Sequence, residues 1–136
     1  MNEVPRQHAL GVRVYLEDTD AGGIVYHASY VRFMERARTE WLRAAGLDQT
    51  RTFAEDLSFV VHSMQMRFLQ AARLDELLTV TCEIGDIRAA SMKISQRVVR
   101  DATGEECCTA EFTIACISLA TGRARRLPAS LREAAS

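Results

Sequence analysis

A chain of 136 residues, 48% hydrophobic and 26% charged, has room for a single domain over residues 1–136 and enough apolar side chains to bury a core without metals or crosslinks. Its 17 basic and 18 acidic residues leave a formal net charge of -1, which excludes a whole-molecule field that gathers nucleic acid or anionic membrane. The first residues carry Glu3, Pro5 and Arg6 and lack an apolar export signal, and no apolar run approaches the roughly 20 residues of a membrane span. The expectation is a cytoplasmic protein whose cysteines, Cys82, Cys107, Cys108 and Cys116, stay reduced and act as small strand hydrophobes.

In chain order, Gly11 to Glu17 reads as a first strand and Asp18 to Ala28 as a turn-rich loop. A long helix comes next, because Tyr30, Phe33, Met34, Ala37, Trp41, Leu42 and Ala45 recur at helical spacing. Ser29 is placed to cap its start, and Gly46 sits where a C′ glycine would end it. The opposite face carries Arg32, Glu35, Arg36, Arg38, Glu40 and Arg43 and reads as polar or turned toward another subunit. After a weaker helical piece near Thr52 to Asp56, four segments rich in Val, Ile, Thr and Phe read as strands: Phe59 to Phe68, Leu77 to Ile84, Met92 to Arg100 and Glu106 to Leu119. Hairpin turns fall at Asp101 to Gly104 and Ala120 to Arg123, and a polar connection at Ala71 to Asp75. The pattern predicts an α+β fold in which an antiparallel sheet curls around one helix, with exposed edges that favour edge-to-edge association of two sheets.

The loop ahead of the helix carries the chemistry. Glu17, Asp18 and Asp20 precede Gly22 and Gly23, where backbone amides can approach a ligand closely, and the next residues open a helix whose first N–H groups lack intrahelical partners. Such a layout suits a reaction that develops negative charge.

The string Tyr15-x-Glu17-Asp18-Thr19-Asp20-Ala21-Gly22-Gly23-x-Val25-Tyr26-His27-Ala28-Ser29-Tyr30, with Phe33 and Glu35-Arg36-Ala37-Arg38-Thr39-Glu40 after it, resembles the hotdog-fold acyl-CoA thioesterases related to 4-hydroxybenzoyl-CoA thioesterase. Within them it is most similar to the branch associated with the bacterial Tol-Pal system, the YbgC type. The resemblance runs from about Val12 to about Pro128 and takes in Phe59-Val60-Val61, Ala72-Arg73-Leu74-Asp75 and Arg126-Leu127-Pro128. It implies one central helix wrapped by a five- or six-stranded antiparallel sheet, homodimers with sites at the subunit interface, and homotetramers of two dimers. It also implies that the catalytic carboxylate is Asp20, just before Ala-Gly-Gly, and that the backbone amide facing the thioester carbonyl is that of His27. The segment Ile87 to Lys93 would meet the nucleotide end of coenzyme A, with Arg88 and Ser91 as the contacts. Ala71 stands where close relatives tend to have proline.

Physical chemistry supports the same pair. Thioester hydrolysis needs a group that delivers water to the acyl carbon or attacks it, and a group that stabilises the oxyanion. Asp20 can act as general base or nucleophile. The His27 N–H, backed by the helix dipole, can serve the oxyanion, a contact worth on the order of 3 kcal/mol in acyl transfer. The leaving thiol, with a pKa of about 8.5 judged from cysteine, needs little acid help. The His27 imidazole is a further candidate to orient water or Asp20. No metal or redox cofactor is implied, and coenzyme A enters as part of the substrate. The donor is a CoA ester or an acyl carrier protein.

Plainer readings stand beside these. Asp18 and Glu17 fit capping, turning or pairing with an arginine, His8 and His62 read as structural, and Tyr26 and Tyr30 stand between core and acyl pocket. Arg123, Arg125 and Arg126 read as a solvated run. A calcium loop fails, since counting from Asp18 puts Gly22 and Ser29 at ligand positions five and twelve. Cys107 and Cys108 are adjacent and should point to opposite strand faces, which argues against a zinc pattern. Three other functions compete. A haloacid-dehalogenase-type phosphatase needs a parallel sheet and a longer chain. A hotdog enoyl-CoA hydratase usually sets its Asp and His five apart, whereas Asp20 and His27 are seven apart. A non-catalytic module binding acyl-CoA or acyl carrier protein would keep Arg88 and the pocket without needing Asp20.

Overall fold

The computed structural model describes residues 4–133, and its elements in chain order are β1 (Gln7–Arg13), a single 3-10 turn (Leu16–Asp18), α1 (His27–Ala44), α2 (Gln49–Ala54), β2 (Ser58–Phe68), β3 (Leu77–Ile87), β4 (Ser91–Arg100), β5 (Glu106–Ile117) and α3 (Ala129–Glu133). The five strands form one sheet in the order β1-β3-β4-β5-β2, with every pair antiparallel. A parallel sheet of the phosphatase type is thereby ruled out. No helix among the described residues is long and apolar enough to cross a membrane.

Alternation along β4 and β5 sends Met92, Ile94, Val98, Ala110, Phe112 and Ile114 to one buried face. The stripe predicted on α1 meets that face: Tyr30, Phe33, Met34, Ala37, Trp41 and Leu42 are all buried, and α1 lies across β1, β3 and β4. Burying each large side chain is worth about 2–3 kcal/mol. Trp41 also donates its Nε1–H to the carbonyl of Pro5 at 2.7 Å. Gly46, at φ +81°, ends the helix in the left-handed conformation where glycine carries no Cβ penalty.

Five expectations change. The first strand is Gln7–Arg13 rather than Gly11 to Glu17, because as an edge strand it needs only one neighbour, and it pairs with β3 from Gln7↔Glu83 to Arg13↔Leu77. Pairing stops soon after, where the Tyr15 N–H turns to the Asp18 carboxylate at 2.8 Å. Ser29 is not the cap of α1: the helix starts at His27 after Tyr26, and the buried Ser29 hydroxyl donates to the Asp18 carbonyl at 2.9 Å. Arg38 is not on the polar face but folds inward, donating to Gln96 Oε1 at 2.9 Å and lying 4.2 Å from the Phe112 ring centroid. Arg125 is not a solvated charge: it donates to the carbonyls of Glu55 and Asp56 at 2.6 and 2.7 Å, closing the end of α2. Cys107 and Cys108 do not divide between two faces. The β4–β5 register jumps from Val98↔Cys108 to Val99↔Glu106, so Cys107 is an extra residue in a bulge and both side chains are buried.

Candidate active site

The loop between β1 and α1 is held at both ends. Asp18 is buried; its carboxylate takes the Tyr15 N–H, and its carbonyl takes the Tyr26 N–H and the Ser29 hydroxyl, both at 2.9 Å. Its role is therefore that of a clamp. Beyond it, Thr19 and Val25 form an antiparallel bridge, the Asp20 N–H donates to the Ile24 carbonyl at 2.9 Å, and the Gly23 N–H returns to the Asp20 carbonyl at 3.2 Å. Gly23 sits at φ +79°, which a side chain would strain. The Gly22 N–H donates to Asp20 Oδ1 at 2.7 Å, and a Cβ at Gly22 would stand 3.3 Å from that oxygen. Asp20 is thus exposed yet oriented, and among the described residues its Oδ2 accepts no hydrogen bond.

The second wall is the start of α1. Tyr26 is the N-cap residue and makes no side-chain capping bond, and the His27 N–H, at the first helical position, has no acceptor among the described residues. An open amide at the positive end of an 18-residue helix is a ready anion contact. The His27 ring, exposed, stands 4.4 Å from Tyr26 and edge-on to Phe68 at 6.2 Å.

The third wall comes from the end of β2, far away in sequence. The bulged Cys107 carbonyl accepts the N–H groups of Leu69 and Gln70 at 2.9 and 3.2 Å, folding this segment over the helix start. Arg100 fixes the next residue, donating to the Ala71 carbonyl at 2.6 Å while pairing with Glu76 at 2.7 Å and Glu105 at 3.0 Å. The Ala72 carbonyl then takes the Val25 N–H at 2.8 Å, which ties the two loops together. Between the walls lies a groove of about 360 Å3 lined by Asp20, Tyr26, His27, Tyr30, Phe68 and Leu69 among others. Tyr30 serves both core and groove: it is buried, its hydroxyl oxygen accepts the Ala72 N–H at 3.2 Å, and burial raises its pKa. Tyr26 is half exposed at the groove's rim.

The structure therefore brings Asp20, Gly22, Gly23, Tyr26, His27 and Tyr30 together. It does not bring Arg88 and Ser91 to them within one chain. Those residues close the β3–β4 hairpin, with the Arg88 N–H on the Ser91 carbonyl at 2.8 Å, at the end of β3 opposite Leu77 and the groove. With 11 residues in β3, that separation is about 30 Å. Phe68, Leu69 and Gln70 join the site without a motif of their own; apolar bulk at the end of β2 is the sole trace of them in the sequence. Burial pushes Cys82 and Cys108 up to about 12 and raises Cys107 and Cys116, so none offers a thiolate at neutral pH.

Comparison with known proteins identifies the family. Residues 14–135 match the family model described as the thioesterase-like superfamily. The acyl-CoA thioester hydrolase YbgC of Escherichia coli O6:H1 is 45% identical over 120 residues, covering 88% of this chain and 89% of that protein. A crystal structure of a probable thioesterase from Bartonella henselae superposes with a TM-score of 0.80 at 37% identity, covering 91% of this chain and 100% of the other. A 1,4-dihydroxy-2-naphthoyl-CoA thioesterase from Synechocystis shares the fold, with a TM-score of 0.87 at 21% identity and 95% coverage of each chain. The five-stranded antiparallel sheet, the central helix and these matches agree: the chain belongs to the thioesterase-like superfamily and has its hotdog fold.

Proposed function

We propose that the protein hydrolyses acyl-CoA thioesters to a carboxylic acid and free CoA in the groove at the start of α1. The observation that carries this reading is the meeting, in one apolar groove, of an oriented exposed carboxylate and an open helix N-terminal amide. The acyl carbonyl lies toward the His27 N–H, which receives the charge developing on oxygen. Asp20 Oδ2 either takes a proton from attacking water or attacks the acyl carbon itself, giving a mixed anhydride that water then cleaves. In both routes the C–S bond breaks and CoA leaves as a thiol or thiolate. The aromatic and aliphatic wall of Tyr30, Phe68 and Leu69 takes the acyl group and lowers the local dielectric, strengthening the amide contact. No metal or redox cofactor enters this scheme. The YbgC-type relative, itself a thioester hydrolase, supports the substrate class.

The nucleotide is met by a second copy of the chain. β2 is an edge strand of 11 residues that exposes Val61, Met64 and Phe68 and contains no proline or lysine, an edge that soluble proteins normally cover. Pairing two β2 strands antiparallel about a twofold axis sets the Phe68 end of one against the Ser58 end of the other. The Arg88–Ser91 turn lies at the Ser58 end, since Ser58 pairs with Ile117 and the Ala90 carbonyl takes the Cys116 N–H. A homodimer so built carries the second copy's Arg88 and Ser91 to the groove of the first, and two dimers can pair as a tetramer. Arg88 would meet the CoA phosphates. Cytoplasmic placement fits four free, buried thiols.

Thiol release from short-chain, long-chain and aromatic acyl-CoAs, and from the same acyl groups on acyl carrier protein, tests the reading. Turnover of at least one CoA ester is expected, and Arg88→Ala should raise KM for that ester while leaving a short N-acetylcysteamine thioester unaffected. No turnover of any thioester, with acyl-CoA still bound, would replace hydrolysis by the binding-module reading.

A further inference from the structure

At the end of the sheet opposite β2, the terminal strand is open. β1 has β3 on one side and, among the described residues, no strand on the other. Its register runs without a shift from Gln7↔Glu83 to Arg13↔Leu77, whereas each of the other three ladders breaks register once. The Arg6 carbonyl takes the Ile84 N–H at 2.8 Å and the Val14 N–H goes to the Glu76 carbonyl at 2.9 Å, so the even-numbered residues between them bond to β3. The odd ones, Gln7, Ala9, Gly11 and Arg13, therefore point their N–H and C=O groups to the free side. All four are exposed, Ala9 and Gly11 put little side chain in the way of an approach, and the strand contains no bulge, proline or lysine. Soluble proteins ordinarily blunt a bare edge with such devices or cover it.

Beside the free edge runs a groove of about 440 Å3, larger than the proposed catalytic groove, between β1 and the flank of α1. Leu10 and Val12 form an apolar floor, Arg36 and Glu40 stand on the α1 wall, and Tyr15 and Glu17 close one end. Glu40 is engaged with Arg43 of its own helix. Arg36 lies over the Phe33 ring, 5.9 Å from its centroid, and among the described residues has no carboxylate within 4 Å.

We propose that β1 takes up an extended peptide segment of another protein as a sixth strand, antiparallel like every other pair in the sheet, with apolar side chains on Leu10 and Val12 and a carboxylate on Arg36. A strand added there exchanges N–H···O bonds with Ala9 and Gly11, and its alternate side chains point into the groove. The edge supplies main-chain bonds to any extended segment, the apolar floor selects its inward side chains, and the unpaired guanidinium selects their charge. A second copy of β1 is the rival strand and fits less well. With β2 edges already paired in the proposed dimer, pairing β1 edges too joins dimers through a second twofold axis, and the sheet extends without closing. That exclusion rests on the proposed dimer; nothing else here depends on the proposed activity.

The probe is a synthetic heptapeptide, Thr-Val-Thr-Asp-Thr-Val-Thr, whose second, fourth and sixth side chains face the groove when its third and fifth residues pair with Gly11 and Ala9. Followed by amide NMR on the full-length protein, it should bind saturably with Kd below about 1 mM and slow hydrogen exchange at Ala9 and Gly11, which is fast in the protein alone. Methylating the peptide's third and fifth amide nitrogens should abolish binding. Gly11→Pro should abolish it too and keep the fold, because the Gly11 N–H faces outward, a Cβ at Gly11 meets nothing within 4 Å, and edge strands tolerate proline. The methylated peptide serves the same purpose should that variant misfold. Arg36→Glu should weaken the peptide by about fivefold or more and prefer a version with Lys in place of Asp. The proposal is overturned if the peptide does not saturate, if the methylated peptide or Gly11→Pro binds equally well, or if Arg36→Glu treats the Asp and Lys peptides alike. It is also overturned if the Ala9 and Gly11 amides are already protected in the protein alone, which would make a second copy the occupant.

Discussion

Asp20 accepts the Gly22 N–H on one carboxylate oxygen and leaves the other open, and His27 presents a backbone amide without an intrahelical acceptor. The two halves of the His27 assignment can be separated by substitution. His27→Ala keeps the N–H and should cost less than about tenfold in kcat. His27→Pro removes it, and the fold should survive: proline is accommodated at the first helical position, and Tyr26 already has the extended backbone, φ -65° and ψ 137°, that precedes proline. Loss of that amide should lower kcat by about a hundred- to a thousandfold, read by thiol release after circular dichroism has shown the helix intact. Equal, small losses in both variants would move the oxyanion contact elsewhere. Gly23→Ala forces an alanine to φ +79° and should cost about 1 kcal/mol, seen as a lower urea midpoint.

At the scale of elements, two polar clasps hold the apolar parts in register. Gln96, buried on β4, accepts from Arg38 and donates to the carbonyls of Met34 and Thr81 at 3.0 and 3.2 Å, joining α1 to β3 and β4. Gln96→Ala strands those groups and should destabilise the protein by about 2–4 kcal/mol in urea unfolding. The other clasp is Asp56, at φ +54°, whose carboxylate accepts from the Ser118 hydroxyl and from the N–H groups of Leu119 and Ala120 at 3.0 and 3.3 Å. The Ser118 hydrogen bond is the main cause holding its pKa below the ordinary carboxylate value. A depressed folded pKa stabilises above the unfolded value of about 3.9 and ceases to do so as pH falls through the folded value. Asp56→Asn should therefore lower Tm at pH 7, and the gap to the parent should close on acidification. Such clasps explain what the sequence hid. Helical spacing on α1 and the Val, Ile and Thr content of β2 to β5 declare those elements, because they arise from neighbours along the chain. Arg38 and Gln96 lie 58 residues apart and Asp56 and Ser118 62, so nothing local announces either bond. Helical spacing alone puts Arg38 on the polar face for that reason. The pattern misplaces β1 because an edge strand with one partner needs less apolar alternation than the pattern demands. The groove is half legible: Asp20 to Tyr30 is one continuous motif, while Phe68 to Gln70 reach it only through the Cys107 bulge.

At the scale of the whole molecule, one chain holds the acyl end of the proposed site and lacks its nucleotide end. In the proposed dimer, pairing of β2 edges would supply the missing half. Met64, half exposed near the middle of β2, would lie close to its own copy across the twofold axis. Met64→Lys sets like charges against one another there and should shift the mass measured by light scattering toward the monomer. KM for acyl-CoA should rise with it, while the circular dichroism spectrum stays unchanged. A variant that remains fully dimeric would place the interface on another edge or face.

The central claim is that Asp20 in the groove at the start of α1 performs the hydrolysis, and the most direct measurement is kcat for thiol release by Asp20→Asn, matched to the parent by circular dichroism. The expected result is a fall of about a hundred- to ten-thousandfold with KM little changed, the signature of a group that acts in the transition state and not in binding. A folded Asp20→Asn protein that turns over acyl-CoA at the parent rate would contradict it.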